Sequence, residues 1–271
     1  MRAALIQFTS SDDPQDNLAR LRPLIAEGAR DGAQLLCTPE VTNVVAPRDR
    51  LREVATTEDA DPVLAGLREE ASRHGLWIAA GSLAIRTDDP DGRLANRSFL
   101  LAPDGAIAAR YDKIHMFDVD VSATETWRES KGFRPGDRAV TAALPFATLG
   151  LAICYDLRFP HLFRALAKAG AQVLLVPAAF TRPTGEAHWE TLLRARAIET
   201  GCFVLAAAQT GEHAGRRLTH GHSLAVAPWG EVLADAGRAP GVTLVDLDLA
   251  RVAEARRRIP ALLHDRPFAG P

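Results

Sequence analysis

The order of strand and helix patterns, which occurs twice along the chain, restricts the fold more than any other feature. Each half contains three short apolar runs typical of buried strands, separated by two helical patterns. In the first half these segments are 3–8, 17–31, 34–37, 62–74 and 76–81. In the second half they are 149–154, 160–169, 172–176, 187–200 and 202–208. The repetition predicts an α/β protein built from two similar halves.

Each half ends in a predicted hairpin of the same kind. Segments 98–102 and 106–110 flank Pro103-Asp104-Gly105, and the later hairpin turns at Pro228-Trp229-Gly230. Proline presets φ in such a turn, and glycine accepts positive φ. Because the repeated unit is much longer than a solenoid repeat, we expect two sheets packed together with helices outside, related by approximate two-fold symmetry.

We expect one continuous domain over residues 1–271, because no low-complexity linker separates the halves. The longest predicted loop is 119–138, and loops of that length in compact domains are usually functional. A last strand is predicted near 242–247, followed by an amphipathic helix at 248–258. The tail, from about residue 249 to 271, either lies on the surface or packs on a partner subunit.

The balance of charges argues against nucleic acid and membranes as partners. Lys and Arg number 32 against 34 Asp and Glu, so no basic excess is available to attract phosphates or an anionic membrane. Apolar stretches such as 173–179 fall well short of the roughly 20 residues that span a bilayer, and no charged-then-apolar leader opens the chain. A cytoplasmic protein that acts on small molecules is expected.

Cysteine spacing and the glycine patterns indicate that no metal or cofactor is used. Cys37, Cys154 and Cys202 are an odd, widely spaced set without the CxxC pairing of a zinc site or a disulfide framework. No GxGxxG or GxxxxGK[ST] motif follows any predicted strand, which argues against a nucleotide-binding protein. The chemistry is therefore expected to depend on side chains alone.

Three separated residues could carry that chemistry. Cys154 ends a predicted strand just before a helix can begin, a turn that exposes a nucleophile and places the backbone N–H of Tyr155 beside it. Glu40 and Lys113 follow the second strand and the first hairpin, so all three lie at carboxyl ends of strands, where α/β proteins gather their sites. Taken singly, Cys154 could be a core residue, Glu40 a turn cap and Lys113 a solvated charge.

In combination these segments resemble the nitrilase-like carbon–nitrogen hydrolases. That family carries a Glu after the second strand, a Tyr-x-Lys-x-His-like stretch and a Cys-Tyr-Asp-x-Arg-Phe-Pro-like stretch, matched here in order by Glu40, 111–115 and 154–160. The resemblance covers nearly the whole chain. It implies a four-layer α-β-β-α sandwich with internal pseudo-two-fold symmetry, which agrees with the repeated pattern.

The resemblance also implies a mechanism, the hydrolysis of a linear amide to a carboxylate and ammonia through a thioester. Cys154 would be the nucleophile, and Glu40 the general base and acid. Lys113 and the N–H of Tyr155 would stabilise the oxyanion. A second family glutamate is matched by Glu129, whose implied role is to hold Lys113 and help position the substrate.

The same resemblance implies that no histidine is the catalytic base. His115 and His188 could suggest Cys-His catalysis, but the family assigns the base to Glu40. His115 is therefore expected only to support substrate binding.

Two further stretches, 184–199 and 206–211, resemble the amidases that act on deaminated glutathione more than true nitrilases. The ω-amidases, which hydrolyse α-ketoglutaramate, share the first stretch and remain the alternative. This chain departs from both groups at Glu186, where relatives commonly have Pro, and in the 122–127 loop. A catalytically inactive member that works as a binding or scaffold protein is a further alternative, against which the intact trio argues.

Both acidic substrates carry a carboxylate, for which Arg158 is a suitable bidentate donor four residues after the nucleophile. A structural alternative is an Arg158 paired with Asp156 or Glu199. Thr181 is a weaker substrate-binding candidate. Relatives pair through helices equivalent to 187–200, so a homodimer or a higher homo-oligomer is expected.

We predict that Cys154→Ala abolishes amide hydrolysis and leaves folding intact, because the change removes the nucleophile and little side-chain volume. Initial rates and circular dichroism on the purified variant would measure both effects. Cys37→Ala and Cys202→Ala, whose strand contexts indicate core positions, are the matched controls and should retain activity. Turnover by Cys154→Ala above about a tenth of the wild-type rate would contradict the assignment.

Overall fold

Two main β-sheets form the centre of the molecule in a computed structural model, which describes residues 1–121 and 125–270. The strands are β1 (Arg2–Gln7), β2 (Leu35–Cys37), β3 (Trp77–Arg86), β4 (Leu94–Leu101), β5 (Ile107–Asp112), β6 (Asp118–Asp120), β7 (Thr126–Arg128), β8 (Phe133–Arg134), β9 (Val140–Ala143), β10 (Thr148–Leu151), β11 (Val173–Leu175), β12 (Phe203–Ala206), β13 (Thr210–Glu212), β14 (Leu218–His220), β15 (Leu224–Val226), β16 (Val232–Asp235) and β17 (Gly241–Asp246). The helices are α1 (Pro14–Arg30), α2 (Arg48–Val54), α3 (Pro62–His74), α4 (Pro160–Lys168), α5 (Arg182–Thr200) and α6 (Ala250–Arg258).

The two sheets have the same internal order, which is the basis of the pseudo-two-fold symmetry. The first sheet runs β17-β1-β2-β3-β4-β5, with β8 added beside β4, and the second runs β16-β15-β12-β11-β10-β9. In each, three consecutive parallel strands, β1-β2-β3 or β10-β11-β12, form the centre. Antiparallel strands flank this centre on both sides. The predicted repeat and the α/β class are confirmed.

Alternating side chains explain why each sheet is covered on both faces. Along β1, Ala3 and Leu5 belong to the core between the sheets, whereas Ala4 and Ile6 belong to the core beneath α1 and α3. Successive residues of a strand point to opposite faces, so a strand buried on both faces is apolar throughout. The second sheet packs its outer face against α4 and α5. The layers are therefore helix, sheet, sheet, helix, as predicted.

The two predicted hairpin turns have the same geometry. In the first, the N–H of Gly105 donates to Ala102 O and that of Ala102 to Ala106 O, both at 2.8 Å. In the second, Gly230 donates to Ala227 O and Ala227 to Glu231 O, both at 2.9 Å. Both glycines have positive φ, 80° and 96°, which is why glycine occupies this position in each turn.

The structure corrects several boundaries. Helix α5 begins at Arg182, five residues before the predicted start, because Pro183 is tolerated in a first helical turn. Helix α2 was not predicted. The predicted loop at 119–138 holds β6, β7, β8 and the 3₁₀ turn Glu129–Lys131. Ser122–Thr124, part of the stretch that departs from relatives, lie outside the described residues.

A close approach at Gly81 fixes the chain that follows β2. A Cβ at this position would lie 2.0 Å from the carbonyl oxygen of Thr38 and 2.6 Å from Pro177. Only glycine lets β3 pass so near the backbone of residues 38–39 and the side chain of Pro177. The segments after β2 and β11 are thereby brought to the same edge of the sandwich.

Beyond α6 the chain makes a 3₁₀ turn, Ala261–Leu263, and continues without regular structure to residue 270. Asp265 forms ion pairs with Arg164 and Lys168 of α4, which attach this segment to the body. Leu263 and Phe268 remain almost fully exposed. Within residues 1–121 and 125–270, no helix has the length and apolarity required to cross a membrane.

Candidate active site

Cys154 occupies a strained turn after β10. It opens the 3₁₀ helix Cys154–Arg158 with a φ of 50°, in the left-handed region that non-glycine residues rarely adopt. Its N–H donates to Pro177 O, after β11, at 2.9 Å. A conformation of this kind costs roughly 1–3 kcal/mol and persists only where surrounding contacts impose it. The turn presents a mostly buried thiol to a cavity at the end of the sheets.

Asp156 is the residue that holds this turn in place. One oxygen of its fully buried carboxylate accepts from Tyr111 Oη at 2.6 Å and from the N–H of Ile153 at 2.9 Å. The other accepts from the N–H of His115 at 3.0 Å and lies 2.7 Å from its Nδ1. His115, predicted to support substrate binding, thus lies outside the cavity lining and instead contacts the residue that shapes the turn.

Lys113 joins the two predicted glutamates. Its Nζ lies 2.9 Å from Glu40 Oε1 and 2.9 and 2.8 Å from the two oxygens of Glu129. Lys113 follows β5, Glu40 follows β2, and Glu129 begins the 3₁₀ turn after β7. Side chains from three distant segments are therefore collected around one ammonium group that is almost wholly buried.

Asn96 and Ala179 complete the support of Glu40, and neither was predicted. Asn96 Nδ2 donates to Glu40 Oε1 at 2.9 Å and to Glu129 Oε1 at 3.2 Å. The N–H of Ala179 donates to Glu40 Oε2 at 2.8 Å. A buried Asn in β4, beside the polar Arg97 and Ser98, gave no clear signal in the sequence. Ala179 gave none, because it acts through its backbone.

The surroundings set the protonation states of the group. Burial favours the neutral acid of Glu40, but Lys113 and hydrogen bonds from Cys154 and Lys113 outweigh it and lower the pKa from 4.5. Burial also acts against the charged form of Lys113, yet Glu129 and Glu40 raise its pKa above 10.5. Burial and the Glu40 charge raise the pKa of the Cys154 thiol well above 9.0, against the opposing effect of Lys113. At neutral pH the site holds a thiol, a carboxylate and an ammonium.

The cavity at this site has a volume of about 340 Å³. Its wall includes the predicted residues Glu40, Lys113, Glu129, Cys154, Tyr155 and Thr181. It also includes three arginines that the sequence did not single out, Arg48, Arg128 and Arg217. Among residues 1–121 and 125–270, no group of three or more His, Cys, Asp or Glu is arranged to hold a metal ion.

Arg158 lies outside the cavity lining. Its guanidinium stands over the rings of Tyr155 and Phe180, at 5.8 and 5.6 Å from their centroids, and 3.3 Å from Nδ1 of His188. Those two rings themselves form the cavity wall. The structure therefore gives no support to Arg158 as the anchor of a substrate carboxylate, because its guanidinium contacts these two rings and His188 and does not line the cavity.

We predict that Lys113→Met lowers the free energy of unfolding by about 3–5 kcal/mol at pH 7, because Glu40 and Glu129 lose the cation that pairs with them in the described part of the chain. The lowered pKa of Glu40 contributes stability above pH 4.5 that is lost as the pH falls through the folded value. The raised pKa of Lys113 contributes stability that is fully present below pH 10.5 and is lost only as the pH rises through the folded value. Both contributions are present at pH 7, so the loss should shrink towards pH 4.

Urea unfolding of wild type and variant across this pH range would test the prediction. Lys131→Met, at the exposed end of the same 3₁₀ turn as Glu129, is the matched control and should stay within about 0.5 kcal/mol of wild type. Equally small losses of unfolding free energy in both variants would mean that the buried Lys113 ion pairs stabilise the fold no more than an exposed lysine does.

Comparison with known proteins places the chain in a family. The family model described as Carbon-nitrogen hydrolase matches residues 2–257. The deaminated glutathione amidase of Yersinia enterocolitica is 41% identical over 97% of this chain and 92% of that protein, and the human protein of the same name is 41% identical over 97% and 82%. The crystal structure of the C. elegans NitFhit protein has a TM-score of 0.91 at 35% identity, over 98% of this chain but only 65% of that one. The chain belongs to the carbon-nitrogen hydrolase family.

Proposed function

We propose that residues 1–271 form a single amidase domain in which Cys154 attacks an amide carbonyl and Glu40 moves the protons. The observation that carries this proposal is the position of Glu40. Its carboxylate is bound by Lys113 on one side and by the Ala179 N–H on another, and it lines the same cavity as Cys154, whose thiol pKa its charge raises. One carboxylate is thus bound to the cation and acts electrostatically on the proposed nucleophile.

The protonation states determine how the first step proceeds. Because the pKa of Cys154 is raised and that of Glu40 is lowered, transfer of the thiol proton in the resting site is uphill. The proton is therefore expected to move to Glu40 as the carbon–sulfur bond forms, when negative charge leaves the sulfur for the carbonyl oxygen. Lys113 and the Tyr155 N–H are proposed to stabilise that oxyanion.

The remaining steps reuse the same carboxylate. The carbon–nitrogen bond breaks as Glu40 returns its proton to the departing amine, which leaves a thioester on Cys154. Water then gives a proton to Glu40 while its oxygen attacks the thioester carbonyl, and the sulfur departs and takes that proton back. Glu129 and Asn96 are proposed to keep Lys113 and Glu40 in position throughout, since Glu129 binds Lys113 and Asn96 donates to both glutamates.

The proposed substrate is deaminated glutathione, the compound named for the bacterial and human relatives. The alternative, α-ketoglutaramate, shares the same acyl group, so both would form the same thioester. They differ in the leaving group, which is ammonia for α-ketoglutaramate and a peptide amine for deaminated glutathione, whose amide bonds are all secondary. The expected release of ammonia therefore applies only to primary amides.

We predict that the purified protein hydrolyses deaminated glutathione with kcat/KM at least about tenfold above that for α-ketoglutaramate, and that simple nitriles are not turned over. Chromatographic detection of the peptide amine and an ammonia assay would follow the two amides separately. Faster hydrolysis of α-ketoglutaramate would favour the ω-amidase alternative. Hydrolysis of neither amide, with Cys154 intact, would favour an inactive binding or scaffold protein.

We further propose that the protein is a homodimer, with its tail near the partner. Ile198, Trp229 and Ile259 are 55%, 41% and 57% exposed, and with Leu263 they line one groove between α5, α6 and the tail. Clustered apolar side chains of this kind mark interaction surfaces. Of the apolar residues in the helix expected at the interface, 187–200, Trp189 and Leu193 are buried in the chain's own core, whereas Ile198 is exposed.

We predict a dimer at micromolar concentration in sedimentation experiments and a shift towards monomer in Ile198→Asp, because the charge would be buried without a partner. Leu218→Asp is the matched control, since Leu218 is 41% exposed but lies away from the groove. A wild-type monomer, or equal effects of the two substitutions, would count against this interface.

A cytoplasmic location is proposed on the chemistry of the cysteines. Cys37, Cys154 and Cys202 are all free thiols. The proposed mechanism requires Cys154 to stay reduced, and a reducing compartment maintains that state.

A further inference from the structure

The charges that line the catalytic cavity do not balance. Among the lining residues within 1–121 and 125–270, the cations are Lys113 and three arginines, and the carboxylates are Glu40 and Glu129. Those two carboxylates bind Lys113. Arg128 is paired with Asp120, which lies outside the lining, at 2.8 Å. Arg48 and Arg217 are the cations left over, and neither has a carboxylate within ion-pairing distance in the described part of the chain.

Arg217 is held rigidly beside the catalytic group. Its Nη2 donates to the carbonyl oxygen of Ala179 at 2.8 Å, and its guanidinium lies over the Trp127 ring, 5.0 Å from the centroid. The N–H of Ala179 binds Glu40, so one residue links Arg217 to the proposed base. The Nε–H of Arg217 is buried and has no partner among the described residues. A planar guanidinium in a fixed position, with N–H donors that remain free to bind a ligand, is suited to a carboxylate.

Arg48 stands elsewhere on the wall, at the cavity mouth. It begins α2 and is exposed to solvent, and the adjacent residues Ala46, Pro47 and Leu51 also line the cavity. Its Nε lies close to Gly132, on the segment that follows Glu129. The two arginines that lack a carboxylate partner among the described residues therefore contact different parts of the wall: Arg217 is beside Ala179 and Trp127, and Arg48 is beside Gly132.

We propose, on the basis of the substrate proposed above, that these arginines bind its two carboxylates. Arg217 binds the carboxylate of the 2-oxo acyl group, which both candidate substrates contain. Arg48 binds the terminal carboxylate of the departing peptide, which only deaminated glutathione contains. Arg217 thus selects an acidic acyl group, and Arg48 discriminates between the two leaving groups. Arg217 and Arg48 take the carboxylate-binding role first expected of Arg158, whose guanidinium contacts the Tyr155 and Phe180 rings and does not line the cavity.

Substitution of each arginine by glutamine would test the assignment. Arg217→Gln should lower kcat/KM for deaminated glutathione and α-ketoglutaramate together, by about 10- to 100-fold, the range for a lost charged hydrogen bond. Arg48→Gln should lower kcat/KM for deaminated glutathione relative to kcat/KM for α-ketoglutaramate by about tenfold, mainly because KM for deaminated glutathione rises. Arg216→Gln and Arg50→Gln, each a near neighbour outside the cavity lining, are the matched controls.

Alkylation of Cys154 by the neutral reagent iodoacetamide separates anchoring from an effect on the catalytic pair, because Arg217 also influences the pKa of Glu40. If Arg217 is an anchor, Arg217→Gln alkylates within about twofold of the wild-type rate across the pH range. A changed rate or pH profile would make Arg217 a support of Glu40 and overturn its assignment. An unchanged substrate ratio in Arg48→Gln would overturn the other half.

The two proposals fail in distinguishable ways. If the wild type hydrolyses neither acidic amide, the proposed function is wrong. If it hydrolyses both, and the two glutamine variants behave like their controls, the function stands and the carboxylate assignment alone is overturned.

Discussion

The buried contact of Lys113 with Glu40 and Glu129 is the interaction on which the rest of the site depends. Each of these charges would be very costly to bury alone, and even a buried pair repays its desolvation only when the geometry is good. Here the three groups meet at 2.8–2.9 Å, and Asn96 binds both carboxylates. The segments after β2, β5 and β7 must therefore converge, which ties the first sheet and the strands beyond it to a single point.

The same contact sets the chemistry. Lys113 keeps Glu40 charged in a setting that would otherwise neutralise it, and the charged Glu40 in turn keeps Cys154 protonated. The proposed nucleophile and the proposed base are thus held side by side without a permanent thiolate, which would be open to oxidation. The strained turn at Cys154 is maintained by a second buried carboxylate, Asp156. The two buried acids therefore differ in role: Glu40 is the proposed proton carrier, and Asp156 holds the backbone of the turn.

Local pattern and pairwise chemistry were enough to predict most of the framework. The alternation of apolar runs with helical patterns predicted both sheets, and the two Pro-x-Gly turns predicted both hairpins, because these features depend on neighbours in sequence. Boundaries were less accurate where a proline is compatible with both a loop and a first helical turn, as at the start of α5. The strands inside 119–138 were missed because each is only two or three residues long and lacks a measurable period.

The chain's own order of residues determined which chemistry is available: a cysteine, a glutamate and a lysine, each just beyond a strand, with no metal-binding or nucleotide-binding pattern among them. It could not determine which cations face the cavity. Arg158 is near Cys154 in sequence yet contacts the Tyr155 ring without lining the cavity, whereas Arg217 comes from the segment just before β14, a distant part of the chain, and lines the cavity. Side-chain direction at a site assembled from both sheets is set by packing between elements far apart in sequence. Only the tertiary structure could decide which cationic groups, among the described residues, face the cavity without a carboxylate partner.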